Sequence, residues 1–119
     1  MDVAARLQEL TAEQVHGLLR DNSIVLIDVR EPQEYVNERI HGALLFPMST
    51  FDARALPVDR RPVVLHCGSG KRSAIAIGKC IEADVPVVAH MKGGLLAWKA
   101  EGFPTVARAP NTGAVVDRR

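Results

Sequence analysis

Short apolar runs that alternate with helical segments constrain the fold of this chain more than any other sequence feature. The runs, which we predict to be strands, are Ile24–Ile27, Ala43–Phe46, Val63–His66 and Val85–Ala89. A strand that is apolar at successive positions is typical of a sheet covered on both faces. Strands separated by helices usually pair in parallel. The pattern therefore predicts an α/β domain with a mainly parallel sheet.

Capping residues and a proline mark the helices between these strands. Thr11 and Gln14 have the spacing of a capping box, with Thr11 as the residue that precedes the helix. Pro32 suits the first turn of a short helix, because proline lacks the N–H that this turn leaves unpaired. We predict helices at about residues 12–20, 31–37, 71–83 and 93–100, and one or two helical turns at residues 49–53.

The composition is that of an ordinary globular domain, and it argues against several classes of protein. Hydrophobic residues make up 47% and charged residues 24% of the 119 residues, which excludes a disordered chain and a coiled coil. The net charge of +1 argues against a nucleic-acid partner or a membrane surface bound by bulk charge. Two cysteines are too few for a disulfide scaffold or a four-thiolate zinc site.

The length of the chain fits one domain with a short C-terminal extension. We expect this domain over residues 1–108 and a flexible tail over residues 109–119, because the tail lacks a periodic apolar pattern. No run reaches the roughly 18 apolar residues of a membrane span, and the N-terminus lacks the apolar core of a secretory signal. We therefore expect no membrane partner and a cytoplasmic location, where both thiols stay reduced.

A loop that opens with Cys67 joins a predicted strand to a predicted helix and carries the strongest chemical signal. Such a loop directs successive backbone N–H groups into one hollow, and Gly68 and Gly70 allow a ligand to approach the backbone. The N–H groups, the helix dipole and the charges of Lys71 and Arg72 favour an anion there. We therefore expect a lowered pKa for the Cys67 thiol, a nucleophilic thiolate at neutral pH and an anionic substrate beside it.

Plainer interpretations of the loop and of its neighbours remain open. One alternative is that Cys67 is a buried, inert cysteine. A nucleotide phosphate loop is excluded, because the glycines of that motif stand further apart than Gly68 and Gly70. Cys80 is either a core residue or a resolving cysteine. Strand alternation turns His66 away from Cys67, which favours a packing role. Trp98 is expected in the core.

Residues at the carboxyl ends of the other strands also face the expected ligand edge. Asp28 and Arg30 form either a structural ion pair or a helix cap, or they contact substrate. Gly93 and Gly94 are expected in a turn that packs near the Cys67 loop and starts the last helix. The remaining histidines, which share no metal-ligand spacing with one another or with the cysteines, are His16, His41 and His90. The sequence therefore predicts no metal site.

Four motifs occur together in a fixed order. They are residues 28–35 (DVREPQEY), 39–43 (RIHGA), 67–72 (CGSGKR) and 93–98 (GGLLAW), and residues 102–104 (GFP) follow. In this order and spacing the chain resembles the rhodanese-like sulfurtransferase domains over about residues 11–104. The second motif departs from the family, which usually has a glycine where Glu38 or Arg39 stands. The resemblance implies a parallel sheet of about five strands flanked by helices on both faces.

The resemblance implies a persulfide mechanism. The Cys67 thiolate would attack the outer sulfur of a small anionic donor such as thiosulfate, release sulfite and hold the sulfur as a persulfide. The sulfur would then pass to a thiophile, which is cyanide in the test tube and a thiol, dithiol or protein in the cell. No metal or organic cofactor is implied. The residues implied to bind the donor and the transferred sulfur are Gly68, Ser69, Gly70, Lys71, Arg72 and Ser73, and among them Lys71 and Arg72 would hold the sulfonate charge.

The length of the loop distinguishes this chemistry from that of related phosphatases. Residues 67–72 give C-x4-R, whereas phosphatases with a His-Cys loop use C-x5-R, and their wider ring suits phosphate or arsenate. The alternatives are such a phosphatase or arsenate reductase, or a non-catalytic sulfur-carrier or redox-sensing module. Residues 67–70 resemble the loops of mercaptopyruvate sulfurtransferases, and residues 71–72 resemble those of thiosulfate enzymes. Because two cations suit a dianion, we predict a thiosulfate sulfurtransferase.

Overall fold

The computed structural model describes residues 7–87, 89–109 and 113–118, and within them the strands form two sheets. The strands are β1 (Gln8–Leu10), β2 (Val25–Asp28), β3 (Glu38–Arg39), β4 (Leu44–Leu45), β5 (Val63–His66), β6 (Ala89–Met91), β7 (Thr105–Arg108) and β8 (Val115–Arg118). The larger sheet has the order β1-β6-β5-β2-β4, and its described strand pairs are all parallel. The prediction of an α/β fold with a parallel sheet of about five strands is confirmed.

Helices connect these strands. They are α1 (Ala12–Arg20), α2 (Pro32–Asn37), α3 (Lys71–Glu82) and α4 (Gly94–Ala100), with single 3-10 turns at Met48–Thr50 and Ala53–Ala55. The capping box before α1 is present, because Thr11 Oγ1 accepts the Gln14 N–H and Gln14 Oε1 accepts the Thr11 N–H. Within the described residues, no helix combines the length and the apolar character needed to cross a bilayer.

Helices cover both faces of the large sheet. Adjacent strand residues such as Leu26 and Ile27 point to opposite faces, and both are completely buried. On one face, α3 and the second 3-10 turn pack against a core made mainly of Ile27, Val29, Leu65, Ala76, Ile77 and Cys80. On the other face, α1 and α4 pack against a core made mainly of Val15, Leu26, Val64, Met91, Leu95 and Trp98. The uniformly apolar strands thus have the two-sided burial that their sequence predicts.

The strand that the sequence predicts at residues 85–89 lies further along the chain in the structure. The chain leaves α3 through Asp84, which has a φ of 59°, and the Val85 N–H returns to the Cys80 carbonyl at 2.9 Å. Val85 and Val87 pack against the α3 core from this turn, and the strand that the structure describes is Ala89–Met91. Residue 88 of the predicted strand lies outside the described residues. The two valines are apolar because their side chains pack against the α3 core, although Asp84 and Pro86 beside them are exposed. The apolar residues therefore indicated burial correctly but did not indicate the backbone conformation.

The described part of the C-terminal segment also differs from the sequence prediction. Val115–Arg118, which we expected in a flexible tail, pairs antiparallel with Thr105–Arg108. Those residues pair in turn with Glu38–Arg39, which completes the smaller sheet. Residues 110–112 and 119 of the predicted tail lie outside the described residues. Antiparallel pairing across a short connection needs little local apolar pattern, so the sequence carried no signal for it. The boundary of the domain at residue 108 stays a prediction.

A buried ion pair fixes the chain where β2 ends. Arg30 Nε lies 3.0 Å from Asp28 Oδ1, and Arg30 Nη2 lies 2.8 Å from Asp28 Oδ2. The two side chains are 5% and 0% exposed. Arg30 Nη2 also donates to the Glu38 carbonyl at 2.6 Å, which ties the beginning of β3 to the end of β2. The pair thus fills the structural role that was one of its predicted alternatives.

We expect the substitution Arg30→Met to lower the free energy of unfolding by about 3–5 kcal/mol, because it leaves the Asp28 carboxylate buried without its partner. The control is Arg20→Met, which breaks an exposed pair with Asp21 (3.5 Å, side chains 68% and 63% exposed). That change should cost at most about 1 kcal/mol. Urea unfolding measures both, and equal losses would show that burial of the Asp28–Arg30 pair has no special weight.

Candidate active site

Cys67 lies where β5 ends and the loop to α3 begins, and its side chain is completely buried. Its Sγ accepts the backbone N–H of Gly70 at 3.1 Å and that of Ser73 at 3.4 Å. The Ser73 hydroxyl oxygen lies 3.6 Å from Sγ. Gly70 precedes the first turn of α3 with a φ of 97°, a left-handed conformation that favours glycine. The loop therefore surrounds the sulfur with hydrogen-bond donors from one tight turn.

Two opposing effects act on the pKa of the Cys67 thiol. Burial raises it, whereas hydrogen bonds from the N–H and hydroxyl of Ser73 and from the N–H groups of Ser69 and Gly70 lower it, because they stabilise the thiolate. The net direction is a pKa below the ordinary value of a cysteine. The positive end of the α3 dipole acts in the same direction. The site is therefore suited to hold a thiolate.

The start of α4 holds this loop from behind. The N–H of Leu95 donates to the Cys67 carbonyl at 2.8 Å, and the N–H of Leu96 donates to the Gly68 carbonyl at 3.1 Å. Gly94 allows this contact: it has a φ of 58°, and a Cβ at this position would lie 2.3 Å from the Cys67 carbonyl oxygen. The turn at Gly93 and Gly94 thus packs against the Cys67 loop, as its sequence position suggested.

Arg72 is engaged by an acidic partner that the sequence analysis did not assign to it. Arg72 Nη1 and Nη2 donate to the two carboxylate oxygens of Glu34, on α2, at 2.7 and 3.0 Å. The hydrogen bonds from Arg72 hold the pKa of Glu34 at about 2, and those to Glu34 raise the pKa of Arg72. Arg72 Nη2 also lies 3.3 Å from the point where a Cβ would stand on Gly68. The guanidinium is thus beside the loop, with its charge compensated.

Lys71 and Ser69 are the most accessible of the predicted loop residues. Both side chains are exposed. Lys71 occupies the first position of α3, and within the described part of the chain no ion-pair partner faces it. Lys71 therefore supplies an uncompensated positive charge at the N-terminus of this helix, in contrast to Arg72.

Two residues outside the predicted site continue the hydrogen bonds of Ser73. The Ser73 hydroxyl oxygen lies 2.7 Å from His90 Nδ1, and His90 Nε2 lies 3.2 Å from Glu9 Oε2. His90 belongs to the segment that the parallel-sheet rule places at the ligand edge, but nothing in the sequence pairs it with Ser73. Glu9 lies on β1, whose sequence (QEL) gave no strand signal.

The remaining candidates have packing roles. His66 is completely buried, its Nδ1 donates to the Cys67 carbonyl at 3.2 Å, and burial lowers its pKa. Cys80 is completely buried in the α3 core, which raises the pKa of its thiol to about 11. Trp98 is 2% exposed and donates from Nε1 to the Pro104 carbonyl at 2.8 Å. These environments agree with the packing roles expected for all three.

Known proteins with related sequences include sulfurtransferases. The family model of the rhodanese-like domain matches residues 11–101. A protein named sulfurtransferase from Allochromatium vinosum is 32% identical over 103 residues, which cover 85% of this chain and 96% of that protein. An uncharacterized protein of Synechocystis is 41% identical over 98 residues. The match covers 82% of this chain but only 55% of the Synechocystis protein.

Solved structures share the fold. The solution structure of a rhodanese-like domain from an Anabaena protein superposes with a TM-score of 0.73 at 26% identity. The superposition covers 93% of this chain and 92% of that domain. The likeness therefore includes nearly the whole length of both chains.

The contact between α4 and the loop makes Gly94 sensitive to substitution. We expect Gly94→Ala to lower the free energy of unfolding by at least about 3 kcal/mol. The new Cβ would displace the backbone of the Cys67 loop, and alanine would also be strained in the left-handed conformation. Gly102→Ala is the matched control: its φ is 78°, but a Cβ there meets nothing within 4 Å. It should cost about 1–2 kcal/mol, the price of the left-handed conformation alone. Equal losses in thermal unfolding would show that the approach at Gly94 is unimportant.

Proposed function

The chain belongs to the rhodanese-like domain family, and on that basis we propose that it is a sulfurtransferase that carries a sulfane sulfur on Cys67 as a persulfide. The observation that carries the proposal is the environment of the Cys67 sulfur. Its Sγ accepts hydrogen bonds from the N–H groups of Gly70 and Ser73, and the pKa of the thiol is lowered. The same donors suit the terminal sulfur of a persulfide, which is also anionic.

The reaction has two displacements at sulfur. In the first, the Cys67 thiolate attacks the outer sulfur of thiosulfate, the S–S bond of the donor breaks and sulfite leaves with the electron pair. In the second, a thiophile attacks the outer sulfur of the persulfide, and the Cys67 thiolate leaves. The thiol is restored at the end of each cycle, and no other group is consumed.

The charges near the loop support an anionic donor. Lys71 and the N-terminus of α3 provide positive potential, and Arg72 keeps three N–H groups beyond the two that Glu34 accepts. Glu34 opposes a dianion at the same place. We propose thiosulfate as the donor, with mercaptopyruvate, which carries one carboxylate, as the alternative. The balance between Arg72 and Glu34 decides how strongly the site prefers the doubly charged donor.

The acceptor in the cell would be a thiol, a dithiol or a protein, with cyanide as a laboratory substitute. We place the reaction in the cytoplasm, because a persulfide carrier needs a reduced thiol, and both Cys67 and Cys80 are free. Cys80 takes no part in the proposed cycle, since its raised pKa and its burial among apolar residues leave it a protonated thiol.

We expect thiosulfate to add the mass of one sulfur atom to the intact chain, and cyanide to remove it with formation of thiocyanate. Cys67→Ser should abolish the adduct, whereas Cys80→Ala should retain it. Intact-mass spectrometry and a thiocyanate assay measure both steps. Absence of adduct and thiocyanate in the unchanged chain would reject the enzyme and favour a binding module. Turnover of a phosphate ester without any adduct would favour the phosphatase alternative.

We expect Glu34→Gln to lower the KM for thiosulfate about fivefold, which corresponds to the roughly 1 kcal/mol typical of a partly exposed ion pair. The glutamine oxygen can still accept the Glu31 N–H, so the start of α2 is preserved. Arg72→Ala should raise the same KM, with a smaller effect on kcat.

The control for the charge change is Glu82→Gln at the far end of α3, which lies about 15 Å from Arg72 by helical rise. It should leave the KM for thiosulfate unchanged. The pKa of Glu34 is about 2, so the carboxylate is charged throughout a practical assay range and the comparison is independent of pH. An unchanged KM for thiosulfate in both Glu34→Gln and Arg72→Ala would show that this pair has no role in donor binding.

A further inference from the structure

We propose that Ser73, His90 and Glu9 form a hydrogen-bonded relay that removes the proton from Cys67, with His90 as a positioning residue that acts on the nucleophile through Ser73. The inference rests on the proposed function only in taking Cys67 as the nucleophile. It adds a path for the proton, which neither the loop N–H groups nor the helix dipole provides.

The relay is continuous from the sulfur to the surface. Its contacts are 3.6 Å from Cys67 Sγ to Ser73 Oγ, 2.7 Å from Ser73 Oγ to His90 Nδ1 and 3.2 Å from His90 Nε2 to Glu9 Oε2. Ser73 is 0% and His90 is 2% exposed, whereas the Glu9 side chain is 49% exposed. The chain of contacts therefore begins in the core and ends at solvent.

The fold holds the middle of this relay in place. Glu9 and His90 are paired neighbours in the parallel register of β1 and β6, so their side chains lie side by side on the same face. His90 is also paired with Leu65 in β5, two residues before the nucleophile. Ser73 lies in the first turn of α3. Three rigid elements thus converge on one imidazole ring.

The number of hydrogens fixes the direction of each hydrogen bond in the thiol state. The His90 Nε2–H donates to the Glu9 carboxylate, so in neutral imidazole Nδ1 is an acceptor. Ser73 has one hydroxyl hydrogen and two acceptors within reach, the Gly70 carbonyl at 3.3 Å and His90 Nδ1 at 2.7 Å. In the relay the hydrogen lies on the shorter of these two contacts. The Cys67 S–H then donates to the Ser73 oxygen, in agreement with the 3.6 Å contact.

Formation of the thiolate reverses the two inner bonds. The Cys67 S–H bond breaks and its proton goes to the Ser73 oxygen, while the original Ser73 hydroxyl proton goes to His90 Nδ1. The Ser73 hydroxyl now donates to the thiolate, and the imidazolium donates from Nδ1 to Ser73 and from Nε2 to Glu9. The transfer moves one proton from sulfur to imidazole and needs no further reactant. The products are a thiolate, an imidazolium and a carboxylate in alternating charge.

The surroundings of His90 add no competing charge among the described contacts. Glu9, from β1, is the titratable group that contacts the ring directly, and Cys67 reaches it through Ser73. On the side of the loop, Gly70 faces the ring, since a Cβ at Gly70 would lie 3.9 Å from His90 Cε1. Glu9 and Cys67 are therefore the charged partners of the ring in the proposed relay.

The test is the rate of Cys67 alkylation by iodoacetamide as a function of pH, with the label assigned to Cys67 by peptide mass spectrometry. This measurement needs no sulfur donor, so it remains informative even where sulfur transfer is absent. His90→Asn keeps an amide that can hydrogen-bond to Ser73 but cannot take up a proton. We expect the midpoint of the alkylation profile to rise by about one pH unit, which means roughly tenfold less thiolate below the midpoint.

A double-mutant cycle separates the relay from independent structural effects. Ser73→Ala should raise the midpoint, and adding His90→Asn to it should cause no further rise, because His90 acts only through Ser73. Additive shifts would overturn the relay. An unchanged midpoint in His90→Asn with a folded chain would also overturn it.

A surface variant keeps the proposal testable where His90→Asn fails to fold. Glu9→Gln should raise the midpoint in the same direction by a smaller amount, because the amide stabilises the imidazolium less than a carboxylate does. Glu13→Gln, an exposed change of the same charge on α1, is the control and should leave the profile unchanged. Identical alkylation profiles for Glu9→Gln and the unchanged chain would show that Glu9 takes no part in the relay and that the relay does not extend to the surface.

Discussion

Two hydrogen bonds from the start of α4 to the loop after β5 set the geometry on which the rest of the site depends. They hold the carbonyls of Cys67 and Gly68 toward the helix. Because a peptide unit is planar and trans, the N–H of the next residue then points the opposite way. The Gly68 carbonyl faces Leu96, and accordingly the Ser69 N–H is among the groups that lower the pKa of Cys67. The backbone of one helix thus orients the donors that another segment presents to the sulfur.

Among the groups of the loop itself, dipoles more than net charge stabilise an anion at Cys67 Sγ. The guanidinium nearest the loop is neutralised by Glu34, and the buried Arg30 is neutralised by Asp28. Fixed N–H groups in a buried site are little screened by salt and cost no reorganisation when the charge on sulfur changes. In the proposed cycle the same N–H groups would face a thiolate and a persulfide, which share one negative charge. Lys71, which is exposed, adds positive potential at the N-terminus of α3.

The features of the fold that the sequence predicts are those with a local physical cause. A capping box, a proline at a helix start and strands buried on both faces each have a signature within a few residues, and the structure has all of them. The Cys67 loop was also visible, because glycine spacing and a following helix define a donor-lined hollow by themselves. Segments whose conformation depends on distant partners gave no such signal. Examples are β1, which contains one apolar residue, and β8, which pairs with β7.

The sequence did not predict the partners of Arg72 and Ser73 for the same reason. These partners have the largest effect on the charges and hydrogen bonds around the Cys67 loop. Glu34 precedes Arg72 by 38 residues, and Glu9 precedes His90 by 81, so neither contact follows from spacing along the chain. Only the parallel register brings Glu9 beside His90, and only the first turn of α3 brings Ser73 between that ring and the sulfur. A loop sequence specifies which groups can bind an anion. In the proposed relay, the parallel strands place the groups that would receive the proton of Cys67, and the carboxylate that compensates Arg72 comes from α2.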